Sequence, residues 1–191
     1  MNITSVIVAA AVMLASSPAV RTAHAQERVK PAEAIRFGER EADVATIDSI
    51  VAALYASVSG PVGKPRQWDR LKSLFHPQGR LIPTACDVDS RCVAHPSTPE
   101  EYRRTADVFM VYEGLREREV ARRTSRFGNV AQLWSTYESY RRSALLPFTR
   151  GIYAIELTWD GRRWWVMSVT WDEERPGLTL PAEYQPSTRK P

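Results

Sequence analysis

The chain predicts an α+β fold in which three N-terminal helices pack on a curved antiparallel sheet. Three observations carry this. Apolar residues recur at three- and four-residue steps up to Gly114 and at two-residue steps after it. The turn pairs Gly128-Asn129 and Asp160-Gly161 separate long alternating runs, as hairpin turns do. Just before the switch, Thr98, Pro99 and Glu101 spell a helix start, with N-cap, first-turn proline and capping box.

Residues 1–25 read as a secretory signal peptide. Val6 to Ala15 is a ten-residue apolar run, too short to span a bilayer, and Ala23-His24-Ala25 has the small-x-small form of a cleavage site. Cleavage after Ala25 and export to the periplasm or medium are expected. The 166 residues that remain suffice for one domain with a real core. The removed segment holds one basic residue, Arg21, and no acidic one, so the charge falls from +4 to +3. That is too small to call for a nucleic-acid partner. Residues 26–42 form a polar, flexible lead.

From Asp43 the pattern is helical, with Val44, Ile47, Ile50, Val51, Leu54 and Val58 on one stripe and Gly60-Pro61 as its stop. A short second helix follows Pro65, with Trp68, Leu71, Leu74 and Phe75 on one face. It ends before Pro77, and "RLIPTA" reads as a strand. The third helix runs from Thr98 through Tyr102, Ala106, Phe109 and Met110 to Gly114. Four strands follow, over 116–127, 130–142, 150–159 and 162–171. At ten to twelve residues they are long, must curl, and offer a concave face that helices can cover.

Cys86 and Cys92 stand in a polar loop, "CDVDSRC". In an exported chain they are expected to form a disulfide. A zinc site would need further ligands, and Asp87, Asp89 and His95 lack a familiar ligand spacing. A redox pair would be C-x-x-C. No metal or cofactor is expected. Arginine doublets at 103–104, 122–123, 141–142 and 162–163 read as solvated element edges; on a strand each doublet points one side chain to either face.

The stretch 149–174 holds four of the six tryptophans and one carboxylate, Glu156, amid apolar residues. Alternation puts Tyr153, Ile155, Leu157 and Trp159 on one face and Arg150, Ile152, Ala154, Glu156 and Thr158 on the other. In the last strand it groups Trp165, Met167, Val169 and Trp171 against Trp164, Val166, Ser168 and Thr170. With both faces apolar, the sheet predicts a homodimer. A desolvated Glu156 would have its pKa raised into the range of general acid–base work; the alternative is a carboxylate paired with an arginine.

Element order and local wording resemble the nuclear transport factor 2-like (SnoaL-like) superfamily, also described as a cystatin-like roll. "IDSIVAALYASVSG" is similar to its first helix, "WDRLKSLFHPQGRLI" to its second helix and first strand, and "GRRWWVMSVTWDEE" to its closing strand. The resemblance implies a domain over residues 43–175 and a tail over 176–191. It implies a cone, with helices in the concave side of the sheet and a pocket at the open end. Members often dimerise through the sheet; some are isomerases, dehydratases or cyclases on apolar polycyclic ligands, and others only bind or assemble.

Ketosteroid isomerases of that superfamily place a general-base aspartate near the first strand. This chain has Gln78 there, an amide that cannot take a proton, with His76 two residues away. Tyr55 matches their oxyanion-donor tyrosine. The residues expected to carry catalysis, if there is any, are thus Glu156, His76 and Tyr55. Those expected to line a ligand site are Tyr55, Trp68, Trp134, Tyr137 and Glu156; His95 belongs to a loop. No nucleophile elbow, phosphate loop, dinucleotide fingerprint or H-E-x-x-H motif occurs. The expected function is binding of a small, mostly apolar molecule or a partner in the cone, without catalysis. A proton-transfer enzyme and a pure interaction module are the alternatives.

Overall fold

The computed structural model describes residues 40–87 and 91–186. The expected signal peptide therefore lies outside the described residues. Four helices and six strands follow in the order α1 (Glu41–Val44), α2 (Ile47–Val58), α3 (Trp68–Leu74), β1 (Phe75–Cys86), β2 (Cys92–Ala94), α4 (Pro99–Glu113), β3 (Arg116–Phe127), β4 (Val130–Tyr140), β5 (Thr149–Trp159) and β6 (Trp164–Glu173). The expected first helix is two. Thr46 stops the first turn and caps α2 through a reciprocal box: its hydroxyl accepts from the Ser49 N–H, and the Ser49 hydroxyl accepts from the Thr46 N–H, both at 3.0 Å. Asp43 on α1 then ties back to Arg70 on α3 with a two-point ion pair at 2.7 and 2.8 Å.

The strands form one curved sheet in the order β2-β1-β6-β5-β4-β3. All pairs are antiparallel except β1 with β6, which is parallel. Apolar stripes of α2 (Ile50, Val51, Leu54) and α3 (Leu71, Leu74) bury against Leu133, Ile155, Leu157, Val166 and Val169 on the concave face. Gly114 ends α4 in the left-handed region at φ 62°; a Cβ there would also lie 2.7 Å from the Val62 nitrogen.

Two bulges change which residues face the core. Between β3 and β4, Glu119 stands opposite Tyr137 and Ala121 opposite Thr136, leaving Val120 as the extra residue. Between β5 and β6, Glu156 stands opposite Ser168 and Leu157 opposite Val166, leaving Met167 extra. Strict alternation on β6 therefore fails. Trp164 and Val166 share the inner face with Val169 and Trp171, while Trp165 turns outward, its indole N–H donating to Asp160 at 2.7 Å. Arg163 is not a solvated edge either. It is buried, its guanidinium 3.6 Å from the Trp165 ring centroid and donating to the Ser73 carbonyl at 2.6 Å. The doublet on β3 does split: Arg122 pairs with Glu119 and Asp48, and Arg123 donates to the Glu183 carbonyl.

Cys86 and Cys92 form the expected disulfide and close the β1–β2 turn. So short a loop contributes about 2 kcal/mol. The segment placed in the tail packs, as far as residue 186, on the outer face of β3 and β4. Leu180 is buried, the Thr136 hydroxyl donates to the Tyr184 carbonyl at 2.6 Å, and the Tyr184 ring lies 5.6 Å from Trp134.

Candidate functional site

The concave face ends in a cleft lined by Leu54, Tyr55 and Val58 of α2, Leu71 of α3, Leu81 of β1, Tyr102 of α4, Glu117 of β3, Tyr153 of β5, and Val169 and Trp171 of β6. About 20 Å³ of it is accessible to a water-sized group, room for one. Alternation on β3 sends Glu117 inward, opposite Ser139 of β4. The Ser139 hydroxyl donates to its carboxyl at 2.7 Å and the Tyr153 hydroxyl at 2.8 Å.

Burial among these groups raises the Glu117 pKa above the ordinary glutamate range. The two hydroxyl donors oppose that shift, and nearby Glu173 adds to it. Burial likewise pushes Tyr55, Tyr102, Tyr137 and Tyr153 upward, so all four remain neutral hydrogen-bond donors at any ordinary pH. Tyr137 stacks on Tyr153 at 4.3 Å and donates to Glu173 at 3.2 Å. Gly151 makes this possible: a Cβ there would lie 2.6 Å from the Tyr137 hydroxyl and 2.4 Å from the Asp172 carbonyl.

The structure brings together only some of the residues expected from sequence. Tyr55 lines the cleft, and its hydroxyl meets that of Ser135 at 2.7 Å, which in turn donates to Glu119. Tyr137 is buried just behind it. Trp68 stands outside the lining, edge-on to Tyr102 at 6.3 Å, with its indole N–H on Asp107 at 2.6 Å. Trp134 points to the outer face, 40% exposed under Tyr184. Glu156 is exposed on that same face and accepts from the Ser168 hydroxyl at 3.1 Å. There it borders a shallow groove of about 510 Å³ with Gln132, Thr158, Met167, Phe127 and Val130. It faces away from the cone, and although Arg126 borders the same groove the two form no ion pair.

His76 is the second residue of β1, its Nδ1 accepting from the Gln78 N–H at 3.1 Å and its ring edge-on to Trp165. His95 is exposed beyond β2. Among the described residues no group of three or more His, Cys, Asp or Glu is placed to hold a metal ion, and no helix is long and apolar enough to cross a membrane. The carboxyl of the cleft is Glu117, a residue of the charged run "REREVARR" within the strand expected over 116–127. Its signal is the period of two, which separates Glu117 and Glu119 from Arg116 and Arg118.

No protein-family model matches the chain, and no curated protein matches it. Solved structures do. A protein from Novosphingobium aromaticivorans, assigned as the β subunit of an aromatic-ring-hydroxylating dioxygenase, is 13% identical at a TM-score of 0.52, over 73% of this chain and 92% of its own. A protein of unknown function from Mycobacterium tuberculosis is 15% identical at a TM-score of 0.51, over 70% and 75%. An NTF2-like protein of unknown function from Shewanella baltica is 15% identical at 0.44, over 68% and 91%. The two likenesses above 0.5 show a shared fold, the curved sheet with its helices that is expected of a nuclear transport factor 2-like chain.

Proposed function

We propose that the cone binds a small, largely apolar ligand and that Glu117 is its ionisable contact. One observation carries the reading: a carboxyl of raised pKa enters a cleft otherwise lined by aliphatic and aromatic side chains. The cleft as it stands holds no ring-sized body. Its weakest wall is α4, in which Met110 is the one fully buried residue while Val108 and Tyr112 are exposed. A ring-sized ligand enters by displacing that helix, and Tyr102 moves with it.

A second reading, proton-transfer catalysis, has its own support. Glu117 and the Tyr153 hydroxyl, 2.8 Å apart, are an acid–base group and a neutral donor. The Cys86–Cys92 disulfide supports work in an oxidising compartment, reached through the signal peptide proposed for residues 1–25. Association of two copies through the sheet would use the outer groove beside Glu156, since the segment up to residue 186 already covers Trp134.

A thermal-shift screen of the protein against apolar ring compounds, carotenoid fragments and lipids tests binding. A ligand at a hundred times its dissociation constant adds about 2.7 kcal/mol of stability. A flat screen overturns the binding reading and leaves a filled cone that serves only to assemble. Turnover of a hit that disappears in Glu117→Gln would favour the catalytic reading over simple binding.

A further inference from the structure

The rings and the carboxyl of the cleft have a joint chemistry that neither has alone. Tyr102 and Trp171 meet at 5.8 Å and 89°, and Tyr153 and Trp171 at 5.6 Å and 81°. In a T-shaped pair the edge of one ring fills one face of the other; the opposite face, also a negative pole of the quadrupole, attracts a cation within about 6 Å of its centroid. Glu117 enters the same space. Glu173 stands close by, held by the hydroxyls of Tyr137 and Thr149.

Neither glutamate has an ion-pair partner among the described residues. The arginines of the adjoining strands are engaged elsewhere: Arg122 on Glu119 and Asp48, Arg118 on Glu138, and Arg150 on Glu138 and Glu174. The inner end of the cone thus offers aromatic walls and a carboxyl with no ion-pair cation of its own among the described residues.

Size narrows the chemistry. The space accessible to a water-sized group is about 20 Å³, enough for one such group without movement of the walls. A primary ammonium head, –NH3⁺, is of that size; a trimethylammonium head is several times larger. We infer that the cleft receives the primary ammonium head of an otherwise apolar amine, held beside the Glu117 carboxylate among the aromatic side chains of Tyr102 and Trp171. This rests on the cone being a ligand site and adds the charge of the ligand's inner end.

Protons balance simply. The neutral Glu117 carboxyl meets R–NH3⁺, ionises beside it, and gives one proton to solvent. Its neighbours do not compete for that proton. Tyr55 from α2, Tyr102 from α4, Tyr137 from β4 and Tyr153 from β5 stay neutral, and Glu173 from β6 is the other carboxyl that faces it. Affinity for an amine therefore rises with pH through the Glu117 pKa, up to the amine's own pKa of about 10.4.

The test is calorimetric titration of the protein with n-hexylamine and with hexan-1-ol, in buffers of different ionisation enthalpy. The expected result is a preference for the amine of about tenfold or more. One proton is released per amine bound below the Glu117 pKa, and the preference falls toward one in Glu117→Gln. Equal binding of amine and alcohol overturns this inference and leaves the cone a neutral-ligand site. Binding of neither overturns this inference, and the screen of ring compounds and lipids then decides whether the cone is a ligand site at all. A preference that survives in Glu117→Gln, or hexyltrimethylammonium binding as tightly as hexylamine, also overturns it.

Discussion

Two glutamates on the same sheet have opposite environments. Glu156 lies mid-strand on β5 among apolar residues and is exposed, with a serine hydroxyl for company. Glu117 lies in an arginine-rich run on β3 and faces the cleft, held by two hydroxyls and pushed toward its neutral form by burial. Sequence neighbours decide little here; the face of the sheet decides nearly everything. The inner face is covered by α2 and α3 and forms the core. Among the described residues, the outer face of β3 and β4 is covered by the segment up to residue 186.

The largest expected difference between the faces is in packing. Leu133 is 0% exposed on the inner side of β4, so Leu133→Ala should cost about 2–5 kcal/mol in urea unfolding. A loss under about 1 kcal/mol would mean that the inner face is not the core. The pH dependence of stability comes next. A carboxyl whose folded pKa is raised contributes stability that is fully present below its unfolded pKa, about 4.3, and is lost as pH rises through the folded value. Wild type should therefore lose stability relative to Glu117→Gln as pH climbs above the ordinary carboxylate range. Parallel curves for the two proteins would contradict a raised Glu117.

Reducing the Cys86–Cys92 bond should cost about 2 kcal/mol, since it closes only a short turn at the sheet's β2 edge. Ligand affinity in the cone should be unchanged, and a loss of binding on reduction would move the site toward that edge. On the outer face, Trp134→Ala removes the ring under Tyr184 and should cost on the order of 1 kcal/mol. The smallest effect belongs to Glu156→Gln, within about 0.5 kcal/mol by thermal melt and with ligand binding intact. A Glu156→Gln variant that abolished binding would place the functional site on the outer face.

Much of the fold was legible in the sequence because its signals are local. The capping box of Thr98 and Glu101, the turn pairs at 128–129 and 160–161, and the switch of period at Gly114 each act over a few residues. The two-helix start was legible only in hindsight, since Thr46 and Ser49 cap each other without the acidic residue that usually marks a box. The site was harder to read. A bulge at Met167 reverses the faces at the start of β6, and no residue type announces a bulge there. Glu117 looks like one charge among six in "REREVARR" until the strand pairing sets it opposite Ser139. Trp134 shows the converse: an aromatic residue that suggests a ligand wall but contacts the chain's own C-terminal segment.

The most direct measurement is the pH titration of the Glu117 side-chain carboxyl by 13C NMR, with its resonance assigned by its absence from Glu117→Gln. A midpoint clearly above the ordinary glutamate value of about 4.3 is expected, moving further up in Tyr153→Phe as one donor to the carboxyl is lost. A midpoint at or below that value, insensitive to Tyr153, would contradict the assignment of Glu117 as the half-buried ionisable group of the cone.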